Sequence, residues 1–139
     1  MRSNRSIPDA PIIPVLGYAD VHAAAEWLCR AFGFRPRLRI GDHRIQLVYG
    51  DGALVVSDAG PEGGEQPPRQ SVMVRVDDAD AHHARAVAAG ARIVREPADW
   101  PYGERQYSAM DIDGHLWTFT QTIADVDPAS WGGELILER

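Results

Sequence analysis

The stretches DGALVVSD, Asp51 to Asp58, and DGHLWTFTQT, Asp113 to Thr122, open alike: with Asp51 set on Asp113 and Gly52 on Gly114, Leu54 falls on Leu116 and Val56 on Thr118. Asp-Gly between two alternating runs is a strong hairpin signal, because both central positions of a type I′ turn need positive φ. Each copy is therefore expected to close a β-hairpin. The likeness continues upstream, where VLGYADVHAAAEWLCRAFGF precedes the first hairpin and VMVRVDDADAHHARAVAAGA the second. Both read as a strand, an Asp cap, an Ala-rich helix and a Gly stop. A unit written twice predicts an α+β fold of two tandem βαβββ units, residues 12–58 and 70–122, with a lead at 1–11, a linker at 59–69 and a tail at 123–139.

At 139 residues with 45% hydrophobic content, the chain can bury a core without staples. Its single cysteine, Cys29, excludes an internal disulfide and a cysteine-ligated metal cluster. The opening MRSNRSIPDAP has no apolar run that could serve as a signal or spanning helix, so a cytoplasmic location without a membrane partner is expected. A net charge of -6 with scattered basic residues disfavours a nucleic-acid partner and suits a neutral or cationic small molecule.

Polar residues and two prolines make 1–11 a flexible lead. Ile12 to Tyr18 is a first strand. Asp20 caps a helix whose stripe of Val21, Ala24, Ala25, Leu28 and Phe32 recurs at i, i+3/i+4, and Gly33 is its left-handed stop. Phe34 to Ile40 is a strand in which Pro36 marks an edge. His43 to Tyr49 and Ala53 to Ser57 flank Asp51-Gly52. AGPEGGEQPPR, Ala59 to Arg69, is too rich in Gly and Pro for regular structure. In the second half Val72, Val74 and Val76 alternate as a half-buried strand should, and Asp77 or Asp78 caps a helix that ends before Gly90. Ile93 and Val94 mark a short strand, EPADWPYGE a long aromatic loop, and Gln106 to Asp111 with Leu116 to Gln121 the closing hairpin. The tail IADVDPASWGGEL, with Trp131 among turn residues, is expected to be a short, partly ordered segment packed on the body or on a second subunit.

In YADVHAAAEWLCRAFGF and YGERQYSAMDIDGHLWTF the chain resembles the vicinal oxygen chelate superfamily, which includes glyoxalase I, extradiol dioxygenases and the fosfomycin and bleomycin resistance proteins. The resemblance covers residues 12 to 122. It implies a curved mixed sheet around a cleft and a symmetric homodimer, with clefts that subunits could share and an N-terminal strand that they could exchange. In metal-dependent members it implies a His or Glu in the first strand of each unit and a Glu in the last, converging on one divalent ion. The corresponding positions here are Ile13, Ser71, Val56 and Thr118, none of them a good ligand. Of their neighbours Ile12, Pro14, Gln70, Val72, Val55, Ser57, Trp117 and Phe119, only Gln70 could coordinate. The implied member uses no metal and no cofactor. The histidines do not supply a site: His22, His82 and His83 lie on predicted helices, His43 in a turn and His115 just past one, with no HxH or HExxH spacing. The helical three read as solvated surface residues, and Cys29 as a small core residue rather than a nucleophile.

If those four positions face the cleft, strand parity places Val15, Leu54, Met73, Leu116 and Thr120 beside them. Pairing across two-residue turns adds Ile45, Leu47 and Tyr49 from one hairpin, and Tyr107, Ala109 and Asp111 from the other. The expected cleft is lined with carbon, Trp100 and Tyr102 stack on a ligand at its mouth, and Arg75 supplies one charge. Trp117 and Phe119 face the helices. The candidate ligand-binding residues are Ile13, Leu47, Tyr49, Val56, Met73, Arg75, Trp100, Tyr102, Tyr107 and Thr118; no catalytic residue and no metal ligand is assigned. The function this suggests is metal-independent binding or sequestration of a small aromatic or amphipathic molecule, such as a planar or cationic drug, as in bleomycin-resistance-type self-protection. The alternative is a lyase, isomerase or dioxygenase with non-standard site residues, for which Asp111, Tyr49 and Tyr107 are the titratable groups in the cleft and Glu104 and Arg105 lie beside the loop.

Overall fold

The computed structural model describes residues 2–59, 70–110 and 115–137. The expected linker beyond Ala59, Asp111 and the Asp113-Gly114 turn lie outside the described residues. Helix α1, Val21–Phe32, starts where the Asp20 carboxylate accepts a hydrogen bond from the Ala23 N–H and stops where Gly33 takes φ 81 and donates to the Cys29 carbonyl. Helix α2, Ala79–Ala88, is capped by Asp78, which accepts from the Ala81 N–H. Among the described residues no helix is long and apolar enough to cross a membrane.

Among the described residues nine strands form one curved open sheet: β1 Ile12–Tyr18, β2 Arg35–Ile40, β3 Arg44–Tyr49, β4 Gly52–Asp58, β5 Gln70–Arg75, β6 Arg92–Trp100, β7 Glu104–Met110, β8 Leu116–Thr122 and β9 Gly133–Leu135. Their order is β6-β7-β8-β5-β1-β4-β3-β2-β9. At the centre β1 and β5 run antiparallel, each flanked by a parallel neighbour, β4 and β8. Both helices pack on one sheet face, α1 over β2, β3 and β4 and α2 over β6, β7 and β8.

Register decides which residues face the helices. The turn between β3 and β4 centres on Gly50-Asp51, with Gly50 at φ 56, and not on Asp51-Gly52. Partners move by two positions, so faces are preserved. Across β7 and β8 the observed pairs are Gln106 with Thr120 and Ser108 with Thr118, where a two-residue Asp-Gly turn would pair Tyr107 with Thr120. That slip of one exchanges faces. Under α1 a core of Ile45, Leu47, Leu54 and Val56 meets Val21, Ala25 and Leu28. At roughly 1.5–3 kcal/mol for each large aliphatic side chain removed from water, this layer is what holds α1 to the sheet.

Three expectations need correction. Residues 92–100 form one strand, β6, and not a short strand with a long loop; as the edge strand it tolerates Pro97 through register shifts between Ile93 and Ala98. The tail packs on the body, one of the two expected places, but is more ordered than expected: Pro128–Trp131 is a 3-10 turn capped by Asp127, and β9 adds to β2 at Leu38 to Ile40, leaving Pro36 beyond its reach. The N-terminal lead is packed, with Asn4, Ser6, Ile7, Pro8 and Ala10 buried against the concave sheet face.

Candidate ligand-binding site

The face turned away from the helices is polar along β3, β7 and β8, because in RIQLVY and ERQYSAM the apolar parity is taken by the helix side. Gln46, Glu104, Gln106, Ser108 and Thr120 are all buried there. A polar group shut away from water needs a partner, and the N-terminal strap supplies many of them. Gln46 Nε2 donates to the Ser6 carbonyl at 3.0 Å, and Arg37 Nη2 to the Arg5 carbonyl at 2.9 Å. Arg75 Nη2 donates to the Arg2 carbonyl and to Thr122 Oγ1, both at 2.8 Å. Glu104 is fully buried and accepts from Asn4 Nδ2 at 2.7 Å, Thr120 Oγ1 at 2.6 Å and Thr122 Oγ1 at 2.7 Å. A second, smaller core of Ile7, Ala10, Ile13, Val55 and Met73 seals the strap onto the strands.

Beside the strap the concave face keeps a cavity of about 640 Å³. Its floor includes Val15, Gln46, Val55, Ser71, Met73, Gln106 and Thr118, and Ser6, Ile7 and Pro8 form one wall. Tyr102 and Trp131 form another, with ring centroids 5.2 Å apart. Trp100 lies parallel to Tyr102 at 6.2 Å and beneath the Arg95 guanidinium at 5.4 Å, so it backs the wall without lining the cavity. Trp131 is fixed by its indole N–H, which donates to Ser6 Oγ at 2.7 Å. Burial pushes the Tyr102 phenol up from its ordinary range, opposed by Arg44 and Arg95 and reinforced by Glu104. The phenol thus stays protonated at neutral pH and donates to Gln106 Oε1 at 3.1 Å.

Of the residues expected to bind ligand, Met73, Tyr102 and Thr118 line the cavity. Ile13 and Arg75 share the concave face but are covered by the strap. Four fall on the other face. Leu47 and Val56 are in the α1 core, Tyr49 stands exposed beside Phe34, and Tyr107 is buried against Phe119, His82 and His83. The cause is physical: an amphipathic helix takes the apolar parity of the strands beneath it, so a carbon-lined cleft and a carbon-lined helix bed could not share β3 and β4. Trp117 and Phe119 are on the helix side, as parity implies. His82 is not a solvated surface residue; its Nδ1 bonds the Tyr107 hydroxyl and its ring packs on Phe119. Burial raises the Cys29 thiol, which keeps it a poor nucleophile. The polar lining residues Arg44, Gln46, Gln106 and Trp131 were missed; the alternation of Arg44 and Gln46 with Ile45 and Leu47 was the available signal.

The glyoxalase/bleomycin resistance protein/dioxygenase superfamily model matches residues 14–119. The chain belongs to this superfamily. A glyoxalase/bleomycin resistance protein/dioxygenase superfamily member from Vibrio splendidus 12B01 superposes with a TM-score of 0.57 at 16% identity, covering 81% of this chain and 97% of that chain. Methylmalonyl-CoA epimerase from Mycobacterium tuberculosis gives 0.60 at 15% identity over 94% of this chain and 95% of that one. At such identities the likeness is one of fold. TioX from Micromonospora sp. ML1 is 40% identical over 79% of this chain and 96% of that chain, with a TM-score of 0.36. No protein in the curated set matches.

Superfamily membership raises the question of a divalent ion, and the residues present do not fit one. Facing the cleft on the four central strands are Val15, Val55, Ser71, Met73 and Thr118, which offer two hydroxyls and a thioether where such an ion needs carboxylate or imidazole. The carboxylate in the lining, Glu104, is held by three hydrogen bonds. Among the described residues no three of His, Cys, Asp and Glu gather.

Proposed function

We propose that the protein binds a small planar or amphipathic molecule in the concave cleft and holds it without chemical change, as bleomycin-resistance-type sequestration does. The observation that carries this reading is the cavity of about 640 Å³ bounded by the Tyr102 and Trp131 rings. Its size falls within the roughly 300–1,000 Å³ usual for small-molecule sites, and it combines aromatic surface with a few placed amides and hydroxyls. The titratable groups of the lining support binding over catalysis. Glu104 is fully engaged, Tyr102 keeps its proton, and His43 sits exposed at the rim. We place the working protein as a homodimer that acts without cofactor.

Titration of the full chain with planar aromatic probes, followed by tryptophan fluorescence, tests this. Saturable binding is expected, weakened about five- to tenfold in Tyr102→Ala, in line with roughly 1–1.5 kcal/mol for loss of an aromatic contact. Unchanged affinity in a folded Tyr102→Ala protein, or a stoichiometric metal in the purified protein, would overturn the reading.

A further inference from the structure

Two cations, Arg44 and Arg95, line the cavity with one carboxylate, Glu104, which Asn4, Thr120 and Thr122 hold. Arg44 opens β3 and lines the cavity, and Arg95 lines it from β6. The buried cations Arg37 and Arg75 on the same face have oxygen partners: Arg37 donates to Gln46 Oε1 at 2.6 Å and to the Arg5 carbonyl, and Arg75 to Thr122 and two carbonyls, with Asp9 at 3.3 Å. Arg44 is different. Among the described residues its partner is the Met73 thioether, 3.8 Å from Nη2, a weak acceptor for a group with five N–H donors.

Among the described residues no carboxylate forms an ion pair with Arg44. Tyr102 is protonated at neutral pH, and the carboxylate of Glu104 is spent on Asn4, Thr120 and Thr122. Arg95 adds a second positive group over the Trp100 ring. Burial pulls the Arg44 guanidinium down from its ordinary range, with Tyr102 opposing, which is what a cation withdrawn from water without a counter-ion experiences. A guanidinium held in this state beside an aromatic wall is matched by a planar anion, because its fork bonds a carboxylate at two points while the ring stacks.

Resting on the binding reading above, we propose that the cleft selects planar aromatic carboxylates, with the acid group paired to Arg44 and the ring against Tyr102 and Trp131. The protein's overall negative charge points instead to a cationic ligand, so the two rules make opposite predictions. The local rule governs, because salt screens charges lying beyond roughly 8 Å, whereas Arg44 would touch the ligand.

Isothermal titration of the full chain with naphthoate, naphthamide and naphthylmethylammonium, which share a ring system and differ in charge, decides it. Naphthoate should bind at least about tenfold more tightly than naphthamide, with the ammonium weakest. In Arg44→Met the ratio of acid to amide affinity should fall to about one. Equal binding of acid and amide by the wild-type protein would overturn the charge assignment and leave the binding reading standing. So would an acid preference that survives in Arg44→Met. Failure of all three probes to bind would overturn the binding reading and the proposal with it. The wild-type comparison holds whether or not the variant folds.

Discussion

Replacing Glu104 by Ala tests whether the N-terminal strap is anchored as the structure indicates. The carboxylate has no exposed surface and accepts three hydrogen bonds, from Asn4, Thr120 and Thr122, at 2.7, 2.6 and 2.7 Å. Hydrogen bonds to a charged group contribute about 1.5–3 kcal/mol each when removed singly, and losing all three would sum to more than the variant can lose. Two terms reduce it. The variant no longer buries a carboxylate, and Asn4 Nδ2 keeps the Tyr102 carbonyl at 2.9 Å. A net loss of about 3–5 kcal/mol follows, chiefly from the Thr120 and Thr122 hydroxyls left without their acceptor, or about 9–15 °C in Tm at roughly 3 °C per kcal/mol for a chain of this size. Urea denaturation measures the global term. Hydrogen exchange measures the local one, at the Ser6 and Val126 amides that donate to Asn4 Oδ1 and at the Ile7 amide that donates to the Asn4 carbonyl. A double-mutant cycle with Asn4→Ala should return a coupling of about 1.5–3 kcal/mol. A loss below about 1 kcal/mol, or unchanged exchange at those three amides, would refute the claim that Glu104 holds the strap.

Leu47→Ala, in the α1 core, should cost about 3–4 kcal/mol by urea denaturation while leaving probe affinity within about twofold; a loss of affinity equal to that of Tyr102→Ala would place Leu47 on the wrong face. Burial, and secondarily Arg85, lowers the His82 pKa below its ordinary 6.5, so the unfolded chain takes up this proton first as pH falls. The stability His82 contributes is therefore present above 6.5 and is lost as pH falls through that value towards the folded-state pKa. The urea midpoint should drop more steeply on acidification in the wild-type protein than in His82→Gln, and parallel profiles would contradict this. Gly103→Ala sets a Cβ 2.4 Å from the Ala124 carbonyl oxygen at a φ of +85, and should cost about 3 kcal/mol; an unchanged Tm would show that the turn relaxes freely.

The order of elements from β1 to β8 was legible because its signals are local and redundant. Asp20 with Gly33, and Asp78 before the Ala-rich run, each mark a helix end by backbone chemistry that needs no tertiary context. Strand alternation was equally plain in β5. What lay beyond local reading was the partner of each polar segment. The sequence of residues 1–11 is polar and rich in turn formers, and in isolation nothing distinguishes it from a free lead. It packs because the concave face presents buried Gln46, Arg75 and Glu104, whose hydrogen-bonding needs its carbonyls and the Asn4 amide satisfy. In the same way EPADWPYGE has the composition of a loop, yet β7 offers it a ladder and the sheet edge tolerates its proline.

In each half the strand face expected to line the cleft differs from the observed one, for a different reason. Alternation states that two residue sets face opposite ways, but not which way is in. In RIQLVY the apolar set was assigned to the cleft, although the stripe of Val21, Ala25 and Leu28 on α1 needs an apolar bed and only β2, β3 and β4 lie beneath it. In ERQYSAM a register slip of one carried Tyr107 into the helix side and turned Glu104, Gln106 and Ser108 into the cleft. Both errors have the same sign, and together they exchanged a polar, guanidinium-bearing cavity for one lined with carbon. The consequence is chemical. A carbon-lined cleft would discriminate ligands by shape and size alone, at about 1–3 kcal/mol per methylene, whereas under the proposal above a cavity with Arg44 in its lining discriminates by charge as well. If the cleft binds as proposed, its specificity is set by the residues that alternate with the core, and the bed of α1 determines which residues those are.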